Sequence, residues 1–393
     1  MFYLIIFLIL FALALTDMLV QNKTCTRVLV VLSAIILICI AGLRLETGGD
    51  WDGYWDLFYS FPSLKNLLVH PSCIELQDVE ELFVLLCAIV KSLGGNIQHV
   101  YFIMALINIT LISHSLVKYT KYPVLGLLCY YGILYFTNEM IYMRQATAVA
   151  ICFLAIRYID SRQIVRYMSL VLLACLIHRV SLLMIPLYFF LNRRFPTWAY
   201  LTVVGVGALL MLFNITWMQN IFLTVTNWLG DNYATKAAVF TEKASYAASR
   251  SFTIGFGLNL ALLVVAMIFH KQIDERKYGT ILLNMFAISL IFYYYCFELV
   301  EAGNRARLFF YIGFVGLLPI LLEIQSRPIL RIAGFAAIVL YSFSMSMTIF
   351  LETPQSVAYN PYQNYLEFKM HPRPSTGKWR LDLSKRSFII DRQ

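Results

Sequence analysis

The stretch NEMIYMRQATAVAICFLAI, residues 138–156, decides the fold. Apart from Glu139 and Arg144 it carries no charge, and from Ala146 onward it is almost wholly apolar. Near a bilayer an arginine costs about 3 kcal/mol or more unless an anion or a wet cavity receives it. A chain that keeps one there has a use for it.

Working outward, apolar runs near the roughly twenty residues needed to cross a bilayer recur along the chain. They lie at 2–20, 28–43, 79–93, 99–117, 123–137, 141–159, 167–191, 197–213, 252–269, 279–297, 307–324 and 329–350. Of the 393 residues, 60% are hydrophobic and 13% charged. No soluble globule of this size hides so much apolar surface, so the solvent is lipid. The expectation is an all-α polytopic bundle of about 11–13 membrane segments. Residues 1–350 form one transmembrane domain with two longer external loops, 44–78 and 214–251, and 351–393 form a polar tail, loosely structured beyond Met370. Trp217, Ile221, Phe222, Val225 and Trp228 in the second loop are spaced as the apolar face of an interfacial helix.

The net charge of +9 is spread over short inter-helix loops, which orients a membrane protein and gives no nucleic-acid footprint. No CxxC occurs, so the cysteines support neither a metal site nor a disulfide framework. The first run, Phe2 to Leu15, lacks a charged n-region and reads as a retained helix.

Basic residues flank the run at 167–191: Arg157, Arg162 and Arg166 before it, Arg193 and Arg194 after. If both clusters are cytoplasmic, the run enters and returns as a re-entrant hairpin with His178 and Arg179 at its tip. The alternative is one tilted helix. The same rule puts 270–277 and 325–331 inside, and 138–144, 214–251 and 298–306 outside. Counting back from Lys118 and Lys121 then puts 44–78 inside, against its reading as an external loop. A segment before residue 118 that fails to cross would remove the conflict.

Four groups of residues bear chemistry. GGDWDGYWD supplies Asp50, Asp52 and Asp56 among Trp51, Tyr54 and Trp55, a pattern suited to sugars: rings stack on pyranose faces and carboxylates accept from hydroxyls. A solvated loop reads the same way. Arg144 with Gln145 offers a two-pronged grip on phosphate, or a side chain snorkelling to headgroups, with Glu139 a candidate partner. His178, beside Arg179 and near Ser181, is a candidate base at neutral pH or a packing residue. Arg305 and Arg307 open a helix near its positive end, and Glu301 and Arg305 also have the spacing of an ordinary i,i+4 pair. Arginines, an imidazole and loop carboxylates together suit phosphates at the membrane surface with sugars beyond.

The order of motifs RLETGGDWDGYWDLF, MRQATAVAICFLAI, LIHRVSLLMIPLYFF, GNRARLFFYIG and NPYQNYLEF resembles the EpsG-like branch of the Wzy-type polysaccharide polymerases over residues 44–368. The first loop in that family commonly reads Gly-Thr-Asp-Tyr, where this chain has Gly48-Gly49-Asp50-Trp51. The resemblance implies a multi-pass glycosyltransferase of the bacterial inner membrane that joins undecaprenyl-diphosphate-linked repeat units into O-antigen, capsule or exopolysaccharide. Its partners would be that glycan, membrane lipid and a chain-length regulator, with no cofactor. In that setting Arg144 with Arg305 or Arg307 would hold the donor diphosphate, helped by Gln145 and Arg179. His178 or Asp50 would deprotonate the acceptor, and Asp52, Trp51, Tyr54 and Trp55 would orient the glycans. A flippase of the same glycan-lipid, or an O-antigen ligase, is the alternative; pseudo-symmetric halves expected of a transporter are not visible.

Overall fold

The structure is a computed structural model and describes every residue except 70–78, 219–220, 222–223, 225–253, 352–355 and 391–393. Most of the interfacial helix expected after Trp217 lies outside the described residues. The first twelve helices are α1 (Phe2–Val20), α2 (Lys23–Gly42), α3 (Trp51–Ser60), α4 (Leu64–Val69), α5 (Glu81–Ser92), α6 (Ile97–Tyr119), α7 (Pro123–Tyr130), α8 (Phe136–Met140), α9 (Met143–Ala155), α10 (Arg157–Asp160), α11 (Ile164–Cys175) and α12 (Thr197–Leu212). They continue as α13 (Ile254–Ile268), α14 (His270–Asp274), α15 (Gly279–Tyr295), α16 (Val300–Glu323), α17 (Pro328–Phe350), α18 (Tyr365–Met370) and α19 (Gly377–Ile390). The all-α expectation holds among the described residues.

Among the described residues, five helices are long and apolar enough to cross a membrane: α1, α2, α6, α16 and, over Pro328–Met347, α17. On α1 and α2 the side chains of Ile5, Leu8, Val28, Val31 and Ile35 stand exposed, which lipid tolerates and water would not. Helix α16 is the opposite case, buried at every residue from Leu308 to Leu322. It packs at the centre with α7, α9 and α15. A π-helical turn over Tyr131–Tyr135 joins α7 to α8. There Gly132 is required, because a Cβ would sit 2.3 Å from the Ser342 carbonyl oxygen of α17.

The basic loops gather at one end of the bundle. Lys121 Nζ donates to Gln21 Oε1 (3.0 Å), Arg194 Nη2 to the Asp274 carbonyl (2.9 Å), and Lys277 pairs with Asp160 (3.7 Å). The opposite end is tied by the tail: Leu45 N–H donates to Gln363 O (2.8 Å), Tyr365 N–H to Leu43 O (2.7 Å), and Tyr3 Oη to Tyr359 O (3.1 Å).

Two features bear on the topology left open by the sequence. The run at 79–93 does not cross. Helix α5 has 12 residues, a rise of only about 18 Å, and both its ends stay at the tail end of the bundle. Leu82 N–H at its start donates to Leu176 O (3.1 Å), and Lys91 Nζ at its finish donates to the carbonyls of Tyr59 (3.1 Å) and Phe61 (2.6 Å). Helix α6 then begins beside α2, with Gln98 Nε2 donating to Gly42 O (2.6 Å). With that crossing removed, 44–69 shares a side with 138–144 and 298–306, as an external loop should. The run at 167–191 is the hairpin. Helix α11 rises from the basic end and turns at His178. The chain returns through 3₁₀ turns Arg179–Met184 and Pro186–Phe189 to Leu191 and Arg193, whose carbonyls accept from Asn284 Nδ2 (2.8 Å each).

The tail is more ordered than its composition suggested. Helix α19 lies over the 44–50 loop, and Arg380, 2% exposed, donates to the carbonyls of Pro361 (2.8 Å) and Glu46 (3.2 Å). Polar groups that satisfy backbone carbonyls replace the apolar core that the tail lacks. Beneath it Gly48 adopts φ +108°, where a Cβ would lie 2.4 Å from the Met140 carbonyl oxygen. Only glycine permits that approach, and it brings Asp50 against the segment leading to Arg144.

Candidate functional site

A cleft of about 300 Å³ opens at the tail end of the bundle, lined by Asp50, Tyr54, Tyr142, Arg144, Gln145, His178 and Arg305. Four separate segments meet there: the start of α3, the break between α8 and α9, the hairpin tip, and the second turn of α16.

Arg144 lies in the first turn of α9, after the helix is interrupted at Ile141 and Tyr142. Its Nη1 donates to Glu80 Oε2 at 2.6 Å, and its guanidinium lies over the rings of Phe83 (5.5 Å) and Tyr54 (6.0 Å). Aromatic faces and one carboxylate hold the cation where lipid would expel it. Its side chain remains 24% exposed, so it is reachable from the cleft. Gln145 Nε2 donates to the Arg305 carbonyl at 2.5 Å, stitching α9 to α16. Arg305 itself pairs with Glu301 (2.9 Å) and lies over Tyr142 (5.4 Å), so the i,i+4 reading is realised at the cleft's rim. Two buried polar atoms here, Arg144 Nε and Gln145 Oε1, find no hydrogen-bond partner among the described residues. Such groups are costly unless something arrives to satisfy them.

His178 heads the returning 3₁₀ turn with an extended backbone, φ −157°. Its carbonyl accepts from Ser181 Oγ (2.8 Å), and its Nδ1 accepts a long 3.4 Å bond from Val180 N–H, which favours the neutral tautomer with the proton on Nε2. Burial at the tip, together with the positive charges of Arg144 and Arg305, holds the imidazole below its ordinary range, against an opposing pull from Glu80. The ring is therefore neutral at pH 7. At the mouth, partial desolvation and the neighbouring Asp52 push the Asp50 carboxyl above the usual range, opposed by Arg305. A neutral imidazole and a carboxylate of raised basicity beside two guanidiniums form an arrangement able to hold an anion and accept a proton.

The remaining sequence candidates are not brought into this cleft. The Arg307 guanidinium sits 4.2 Å from the Tyr311 ring and 4.7 Å from that of Tyr293, because two residues along a helix turn it toward α15. Asp52 pairs with Lys385 (2.8 Å). Trp51 is buried and accepts at its carbonyl from Tyr101 Oη (3.1 Å), while Trp55 lies against Tyr59 with tilted rings (5.2 Å) on the exposed side of α3. The Arg179 side chain is exposed, and only its backbone N–H reaches Glu80 (3.3 Å). Glu139 does not partner Arg144; it is buried with Tyr130 Oη (2.6 Å) and Asn108 Nδ2 (3.0 Å).

Two participants were missed in the sequence, Glu80 and Tyr142. In the sequence Glu80 is one of a pair of acidic residues before an apolar run, which signals only a helix start. Tyr142 reads as an interfacial aromatic.

A family model described as the EpsG family matches residues 27–364, a span that includes every residue of the cleft. The chain belongs to the EpsG family, whose members are membrane proteins of polysaccharide biosynthesis. No curated protein and no solved structure matches it.

Proposed function

We propose that this EpsG-family protein is a membrane glycosyltransferase that polymerises oligosaccharide repeat units carried on undecaprenyl diphosphate, at the outer face of the bacterial inner membrane. One observation carries the reading: Arg144 and Arg305, from different helices, converge with His178 and Asp50 at the end of the bundle opposite the basic loops. Charge bias makes the basic end cytoplasmic, so the cleft faces outward, where flipped glycan-lipids are found.

The chemistry follows from the donor set. The acceptor hydroxyl oxygen attacks the anomeric carbon of the donor unit, the bond from that carbon to the diphosphate oxygen breaks, and its electron pair leaves with the diphosphate. Arg144 and Arg305 stabilise the negative charge growing on that oxygen, and the free Arg144 Nε is one donor available to it. The hydroxyl proton passes to His178, or to Asp50 at the mouth. Tyr54 and Tyr142 line the same cleft, and their rings support the Arg144 and Arg305 guanidiniums. A lipid tail beside the bundle and a glycan above the cleft are both reachable from this position.

A deletion strain tests the reading. Loss of a polymerase leaves single repeat units on the cell surface, and loss of a flippase leaves none. Complementation with the wild-type chain must restore the polymer ladder, and with Arg144→Lys must not, because a single ammonium cannot reproduce the planar fork.

A further inference from the structure

The Arg144–Glu80 pair poses a difficulty for any diphosphate ligand. The guanidinium that should grip phosphate is already engaged, at 2.6 Å, by a carboxylate only 13% exposed. We propose that Glu80 is a displaceable counter-ion: diphosphate takes Arg144 from it, and the freed carboxylate turns to the His178 imidazole. This assignment rests on the donor site of the proposed function and adds to it how the base is switched on.

Four observations support it. Glu80 precedes the first turn of α5 as its N-cap residue, with no side-chain bond to that helix's own amides, so its carboxylate is not committed to capping. Its Oε1 accepts from Arg179 N–H at 3.3 Å, a long bond that places the carboxylate one residue from His178. The Leu82 N–H to Leu176 O bond (3.1 Å) pins the start of α5 to the hairpin tip, so Glu80 and His178 are held together by backbone whatever the side chains do. Arg144 has aromatic support from Phe83 and Tyr54 that does not depend on Glu80, so the cation keeps its place when the carboxylate leaves.

The groups facing His178 define the switch. They are Glu80 from the start of α5, Arg144 from α9, and Arg305 and the Phe309 ring (6.3 Å) from α16. Asp50, Tyr54 and Tyr142 share the cleft. With the cleft free, burial and, after it, the two cations depress the imidazole, and Glu80 is shared with one of those cations. When a diphosphate neutralises both guanidiniums, their repulsion falls and Glu80 becomes a partner for the charged ring. His178 then gains basicity at the moment an acceptor hydroxyl must lose its proton. No bond forms or breaks in the switch itself; only ion pairs exchange.

The test uses the full-length protein in lipid nanodiscs, with inorganic pyrophosphate as probe. Binding is measured by calorimetry, and His178 is titrated by NMR of labelled histidine, assigned by loss of its signal in His178→Gln. In the wild type, pyrophosphate should raise the His178 pKa. Glu80→Gln should bind pyrophosphate about tenfold more tightly, as loss of a competing charge-assisted bond implies, and should lose most of that rise. Glu80→Asp, which keeps the charge, should retain the coupling and serves if the glutamine variant fails to fold. Unchanged or weaker pyrophosphate binding by a folded Glu80→Gln, or an undiminished His178 shift, overturns the switch while leaving the donor site standing. Should the wild type bind no pyrophosphate, or bind it equally well as Arg144→Ala, the donor site fails and the switch with it.

Discussion

The two ends of the bundle each hold a polar recess, and the larger one is the less informative. At the basic end a cavity of about 960 Å³ is lined by Asp17, Gln21, Lys23, Thr26, Arg27 and Lys121 among others. Its cations stand at helix ends where charge bias puts them in any membrane protein, and Lys121 already has Gln21 and the Tyr122 ring (5.4 Å). Orientation in the bilayer accounts for them. The cleft at the tail end, about 300 Å³, holds Arg144 and Arg305 away from the basic loops, an end where, on the proposed orientation, charge bias works against arginine. Among the described residues it leaves a guanidinium nitrogen and an amide oxygen unpaired, against one carboxylate oxygen, Asp17 Oδ2, at the basic end. Cost, not volume, marks the functional recess: the chain maintains the outer cations despite their position.

Substitutions in the two recesses should separate them sharply. The largest effect is expected from Arg144→Ala, about 100-fold or more in polymer formation by the usual worth of one leaving-group donor. Arg27→Ala and Lys121→Ala should stay within about twofold, as exposed charges do. Glycan ladders normalised to protein in the membrane measure both; equal losses at the two ends would erase the distinction.

His178→Ala should follow, at about 100-fold, the low end for a general base. The pH profile sharpens this. Because burial and the two arginines hold the imidazole below its ordinary range, His178 is neutral at pH 7 and must be protonated to lose function. Activity should therefore rise with pH, with the acid limb of kcat/KM below the ordinary histidine value of about 6.5. A limb at or above that value points to a different base.

A smaller contrast lies within one helix. Arg305→Ala should weaken pyrophosphate binding by about tenfold, the scale of one charge-assisted contact. Arg307→Ala, whose guanidinium stacks on Tyr293 and Tyr311, should lower Tm and leave pyrophosphate binding unchanged. Smallest of all is Lys385→Ala, which breaks the exposed pair with Asp52; a change in polymer yield beyond about twofold would make the tail part of the site.

Much of this was legible in the sequence, and the exceptions have physical causes. Charge on both sides of 167–191 raised the hairpin as one of two readings, the other a single tilted helix, and the turn at His178 decides between them. Arg144, Gln145, His178 and Arg305 stood out as polar groups in or beside apolar runs, and Asp50 and Tyr54 as members of an acidic, aromatic loop; the fold brings all six together. Glu80 was hidden because its partner lies 64 residues away, and an acid at a helix start is unremarkable by itself. Arg307 and Trp51 misled for a reason of periodicity: composition places a residue near a site, while only the helix phase decides which way it faces. The order of the tail was invisible for another reason. Arg380 is held by the carbonyls of Pro361 and Glu46, contacts that no pattern of side chains encodes.

The most direct measurement is an electron cryo-microscopy map of the protein in nanodiscs with undecaprenyl diphosphate. Diphosphate density should lie in the cleft at the tail end, within hydrogen-bond distance of Arg144 and Arg305. Density instead at the basic end, among Lys23, Arg27 and Lys121, would contradict the proposed donor site.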